Sequence, residues 1–101
     1  MIRHVLLVRF NASAAQADID AVFQAFVQLK EQVEGLVAVE WGTNNSPEGK
    51  NAGLTHCVLM TFKDAVARDG YLPHPAHLEL KRLFRPVLAE IIVFDYSPQR
   101  A

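Results

Sequence analysis

One cysteine, Cys57, is all the thiol this chain has. A lone cysteine cannot close an internal disulfide, so the fold must hold by packing, which suits a reducing, cytoplasmic setting. A surplus of either charge is missing too. Ten basic residues stand against eleven acidic ones, for a formal net charge of −1. That balance offers no cationic field to a nucleic-acid backbone or an anionic membrane, and neither partner is expected. The apolar opening, residues 1–10, is broken by Arg3, His4 and Arg9. It is too short and too interrupted for a signal peptide or a membrane span, so a soluble chain starting here is expected. Repeats, linkers and low-complexity segments are also lacking. At 101 residues the chain supports one core, hence a single domain over residues 1–101.

What is present is hydrophobic patterning, with 50% of residues apolar. Residues 2–10 alternate as a strand, with Ile2, His4, Leu6, Val8 and Phe10 on one side and Arg3, Val5, Leu7 and Arg9 on the other. Ser13-Ala-Ala-Gln16 has the form of a capping box. Ile19, Val22, Phe23, Phe26, Leu29 and Val33 then recur at helical spacing down to a stop at Gly35. Residues 37–41 read as a second strand, residues 42–53 as a polar, turn-rich connection, and residues 54–62 as a third strand. Asp64 is placed to cap a short helix through Arg68. A longer helix is expected from His74-Pro75, with Pro86 bending it or ending it early. Residues 91–96 form the last strand.

The resulting order, βαββαβ, predicts an α+β, ferredoxin-like unit: a four-stranded antiparallel sheet with two helices on one face. Val5, Leu7, Cys57 and Leu59 are then left on the uncovered face. A bare apolar sheet face calls for a partner, and a second copy across a two-fold axis is the simplest one. A homodimer through the sheet face is expected.

Residues 68–77, Arg-Asp-Gly-Tyr-Leu-Pro-His-Pro-Ala-His, are the densest in chemistry. They hold two of the four histidines, one of the two tyrosines and two of the five prolines. His77 falls in the first turn of a helix, whose dipole disfavours a cation, so it reads as a neutral proton acceptor. Tyr71 reads as its hydrogen-bonding or proton-donating partner. His4 and His56 lie on even strand positions and can reach the same side. With Phe23, Phe26, Leu6 and Leu80 they suggest a small apolar ligand pocket. The plainer reading makes His4 and His56 core-edge residues and His74 a helix cap. A metal is disfavoured, because His74 and His77 are poorly spaced and no acidic residue obviously joins them. The run Ser46-Pro-Glu-Gly-Lys50 lacks the spacing of a phosphate loop. Lys81, Arg82 and Arg85 read as a solvated helix face.

Several segments together resemble one family. They are residues 4–10 (His-Val-Leu-Leu-Val-Arg-Phe), Trp41-Gly42, Asn45-Ser-Pro-Glu-Gly-Lys50, Thr55-His56, Asp69-Gly-Tyr-Leu-Pro-His-Pro-Ala-His77 and Phe94-Asp-Tyr-Ser-Pro98. Taken in order they resemble the stress-responsive dimeric α/β-barrel family over nearly the whole chain. The resemblance implies a ferredoxin-like protomer and a homodimer whose sheets enclose a central barrel. Most members of that family have no established reaction, several are stress-associated, and one is a plant polyketide cyclase that works by aldol condensation without a cofactor. It implies His77 as general base, Tyr71 orienting it or the substrate, His4 and His56 lining the pocket, and no cofactor. Phe26 stands where the cyclase has a pocket tyrosine, so the cyclase's substrate is not implied. The functions left open are a cyclase, isomerase or lyase acting on a small carbonyl compound, a non-catalytic stress-associated dimer, and a metal- or haem-binding protein.

Overall fold

Alternation along β1 (Ile2–Phe10) sets the plan of the molecule, whose structure is a computed structural model describing residues 1–99. His4, Leu6 and Val8 are buried, whereas Val5 and Leu7 are only partly covered. The strand therefore has an inner face and a bare one. It is followed by α1 (Gln16–Gln32), β2 (Leu36–Thr43), β3 (His56–Phe62), α2 (Ala65–Tyr71), α3 (Pro75–Phe84), a 3-10 turn (Arg85–Val87) and β4 (Leu88–Tyr96). The four strands form one sheet in the order β2-β3-β1-β4, and every neighbouring pair is antiparallel. This is the ferredoxin-like arrangement that the element order predicts.

The α1 helix turns Val22, Phe23, Phe26 and Leu29 onto the sheet, and α3 adds Leu80 and Phe84. The core they build with Val8, Val58, Met60 and Phe62 is fully enclosed. Each large side chain so buried contributes about 1.5–3 kcal/mol. Two start signals act as the sequence predicts. The Asp64 carboxylate accepts a hydrogen bond from the Ala67 N–H (2.8 Å), and His74 Nδ1 accepts one from the Ala76 N–H (3.0 Å), with Pro75 opening α3. Pro86 ends α3 at Phe84, as expected, and leaves the 3-10 turn.

The Ser13–Gln16 capping box does not form. The Ala14 N–H closes a turn on the Asn11 carbonyl (3.0 Å), so Ser13 lies within that turn and Ala15 is the N-cap. Gln16 begins the helix and donates to Asp20 instead (2.9 Å). Element ends also shift. β2 runs on to Thr43 and β4 starts at Leu88. β3 starts at His56 because the Asn51 side chain and backbone hold Leu54 in a turn (2.7 and 2.9 Å). α2 extends past Arg68 to Tyr71, whose ring is 1% exposed and anchors the final turn in the core. Gly35 makes the exit from α1 with φ +83°, and a side chain there would strike Ala67.

The chain is a slab of 36 × 36 × 16 Å. The thin dimension is one helix layer on one sheet. On the other face Ile92, Phe94 and Tyr96 of β4 are exposed, next to the partly covered Leu7, Cys57 and Leu59.

Candidate functional site

The end of α2, α3 with the start of the 3-10 turn, Phe26 of α1 and the inner faces of β1 and β4 line a cavity of about 260 Å³. Six of the eight residues named from the sequence line it: His4, Leu6, Phe26, Tyr71, His77 and Leu80. Its volume lies near the small end of ligand sites.

Pro75 at the helix start puts His77 in the first turn of α3. The His77 Nδ1–H donates to the Leu72 carbonyl (2.9 Å). A carbonyl can only accept, so the proton sits on Nδ1 and the Nε2 lone pair is free to act as a base. The imidazole stacks on Tyr71, with ring centroids 4.2 Å apart and planes 22° apart. Burial lowers the His77 pKa from its ordinary value of 6.5, and the nearby Lys81 ammonium lowers it further. Burial pushes the Tyr71 phenol up, so the hydroxyl keeps its proton and remains a donor.

The depressed His77 value has a consequence for stability. Unfolding restores the ordinary pKa, so the unfolded chain binds more protons between that value and the lower folded one. Through this group stability falls as pH drops below 6.5 and levels off once the folded pKa is passed. Urea midpoints measured across that window should fall more in the native chain than in a His77→Gln variant.

His4 is buried on the cavity floor, and strand register places Asp95 directly opposite it. The His4 Nδ1–H donates to Asp95 Oδ1 (2.6 Å), and the Arg68 guanidinium donates to Asp95 Oδ2 (2.8 Å). Arg68 also holds Asp69 (2.7 Å). A charged chain thus runs from α2 through β4 to the His4 ring, which stands edge-on to both Tyr71 and Phe62. It fixes the His4 tautomer and orientation in the way a carboxylate orients a catalytic imidazole. The expectation that no acidic residue joins the histidines is therefore corrected by Asp95. Its sequence signal is slight but readable: one carboxylate in the apolar run of residues 91–96, two residues from the cavity-lining Val93.

His56 and Phe23 are not part of this cavity. His56 pairs across the sheet with Val8, four residues along β1 from His4, or about 13 Å. It packs against Phe10 and Phe23, and its Nδ1 shares a hydrogen bond with the Thr55 hydroxyl (2.7 Å). Phe23, one turn before Phe26, stacks on Trp41 with centroids 4.0 Å apart. Parity of position tells which face a residue is on, not how far along that face it lies. Lys81 and Arg85 do line the cavity, whereas the sequence suggests only a solvated face for them. Among the described residues, no three His, Cys, Asp or Glu side chains are grouped to hold a metal, and no helix is long and apolar enough to cross a membrane.

The family model described as Stress responsive A/B Barrel Domain matches residues 2–98. The chain belongs to the stress-responsive A/B barrel domain family. Within it, the domain is 32% identical over 97 residues to an Arabidopsis thaliana stress-response A/B barrel domain-containing protein, HS1, covering 96% of this chain and 89% of that one. It is 26% identical over 99 residues to olivetolic acid cyclase from Cannabis sativa, covering 98% of each. A crystal structure of an Arabidopsis thaliana protein superposes with a TM-score of 0.94 at 31% identity, covering 100% of this A/B barrel domain and 98% of that chain. A protein from Jannaschia, described as a dimeric ferredoxin-like protein, shares the fold with a TM-score of 0.85 at 23% identity over 96% of this chain and 98% of that one. The family and the protomer fold agree with the resemblance drawn from residues 4–10, 69–77 and 94–98.

Proposed function

We propose that this A/B barrel domain binds a small, largely apolar carbonyl compound in the cavity and removes a proton α to the carbonyl, with His77 as base and no cofactor. The observation that carries this reading is the Nδ1–H bond to Leu72, which leaves Nε2 unprotonated in a mostly apolar site. In the step, the α C–H bond breaks and its proton passes to His77 Nε2. The electron pair moves onto the carbonyl oxygen as an enolate, and the Tyr71 hydroxyl donates to that oxygen. His4, held by Asp95 and Arg68, positions the substrate from the opposite wall. From the enolate, an aldol cyclisation, an isomerisation or a lyase reaction differs only in what the carbanion meets next. The cyclase among the relatives supports this class of chemistry. Proton NMR in D₂O tests it directly, since a small ketone or aldehyde incubated with the protein should lose its α-proton signal to deuterium. Exchange no faster than in buffer, across a panel of such compounds, would remove the enzymatic reading. It would leave the non-catalytic, stress-associated role that the HS1-like relative favours.

The working form is a homodimer with a second copy laid on the bare sheet face. Phe94 is 62% exposed there, among Ile92, Tyr96 and Leu59, an apolar surface that water does not favour. The fold neighbour described as dimeric supports a dimer. Sedimentation equilibrium should therefore read twice the 11.3 kDa chain mass, and Phe94→Glu should shift it toward one. A monomeric native protein would refute it.

A further inference from the structure

His77, Lys81 and Arg85 are spaced i, i+4 and i+8 along α3 and its end, so they form one stripe, and all three line the cavity. Arg82, between them in sequence, faces elsewhere and pairs with Glu79. Among the described residues, Lys81 and Arg85 have no carboxylate within ion-pair distance. The Arg85 side chain is exposed at the cavity mouth, but its backbone is held in place. The 3-10 turn that it opens is tied to the end of β1, because the Asn11 N–H donates to the Val87 carbonyl (2.8 Å) and the Asn11 side chain to the Pro86 carbonyl (3.2 Å). Two uncompensated cations thus stand along one wall of a cavity whose other walls, Phe26, Leu80, Ile91 and Val93, are apolar.

We propose that the substrate is an amphiphilic carboxylate, with its carboxyl group between Lys81 and Arg85 and its apolar body running inward to a carbonyl at His77. This rests on the reading of the cavity as the ligand site and adds the ligand's charge and layout. Helix rise puts Lys81 roughly 6 Å and Arg85 roughly 12 Å along the axis from His77. The carboxylate and the reacting carbonyl are therefore separated by several carbons, which excludes a simple 3-oxo acid. The guanidinium accepts a carboxylate bidentately and the ammonium acts as a point charge beside it. A bound anion also offsets the Lys81 charge that His77 feels, so loading the site makes the base stronger.

Calorimetric titration of the intact protein with octanoate and with methyl octanoate tests the proposal, since the two share an apolar body and differ in charge. Octanoate should bind about tenfold more tightly than its ester, a preference that salt weakens. Lys81→Met and Arg85→Met should each reduce the preference and together abolish it, leaving ester binding intact. Arg82→Met should not change it. His77 ring signals followed by NMR should titrate at higher pH with octanoate than with the ester. Equal affinity for the two ligands, or a preference that survives the double variant, overturns the carboxylate assignment while the apolar site stands. Failure of both ligands to bind overturns the assignment and the cavity reading together.

Discussion

His77→Gln should lower the rate of α-proton exchange, or of any turnover that depends on it, by about 10²–10⁴-fold. Glutamine approximates the size of the imidazole and puts an amide near the position of Nε2, but it offers no basic nitrogen. The loss should therefore fall on kcat with little change in KM, because binding is carried by the apolar walls. The pH profile provides a second check. In the native protein kcat/KM should fall on the acid side as His77 protonates, at a pH below the ordinary histidine value of 6.5. The residual activity of the variant should lack that limb. Tyr71→Phe separates the partner's two roles, since it keeps the ring stacked on His77 and removes only the hydroxyl. A His77→Gln variant that turns over at the native rate would end the base assignment, whatever the cavity binds.

Phe26→Ala should cost about 3 kcal/mol of stability or somewhat more. The ring is fully buried, edge-on to Phe84 with centroids 5.5 Å apart and against Phe23 at 6.4 Å. Its loss removes both the transfer energy and the contacts that hold α1 against α3. The cost stays near the lower end of the phenylalanine range because the vacated space opens into the existing cavity instead of forming a sealed void. Chemical denaturation should show the loss as a lower midpoint with an unchanged slope. Phe26→Leu, which keeps most of the volume, should recover the greater part of it. A change under about 1 kcal/mol for the alanine variant would mean that the helices repack around the site.

The contrast between these residues shows what is legible in the sequence. Period-two alternation in β1 and the 3.6-residue period in α1 assign each side chain to a face, so the fold, the bare sheet face and the inward His4 follow directly. Local signals worked where the chemistry is local, as with Asp64, His74 and Pro86. The capping box misled because the turn from Asn11 to Ala14 takes up Ser13 first. Position along a face depends on strand pairing, which is non-local. That is why His4 and His56 look equivalent in the sequence yet lie at opposite ends of the sheet, and why Asp95 is not seen as the partner of His4. Lys81 and Arg85 were hidden differently. Long cationic side chains mark a helix surface, and nothing in α3 alone tells that β4 comes near enough to make part of that surface a wall.

β4 itself raises a question of specification. Residues 91–94, Ile-Ile-Val-Phe, are apolar at every position, so greasiness alone cannot decide which of them point inward. The strand also lies at the sheet edge, where slippage is least restrained. A shift of one residue against β1 would turn the Asp95 carboxylate to the far side, away from both Arg68 and His4. Those two groups would then lose their shared acceptor, and every such misaligned form carries that penalty. The charged chain behind His4 thus serves as the chain's alignment key, selecting one pairing among several that hydrophobicity would tolerate.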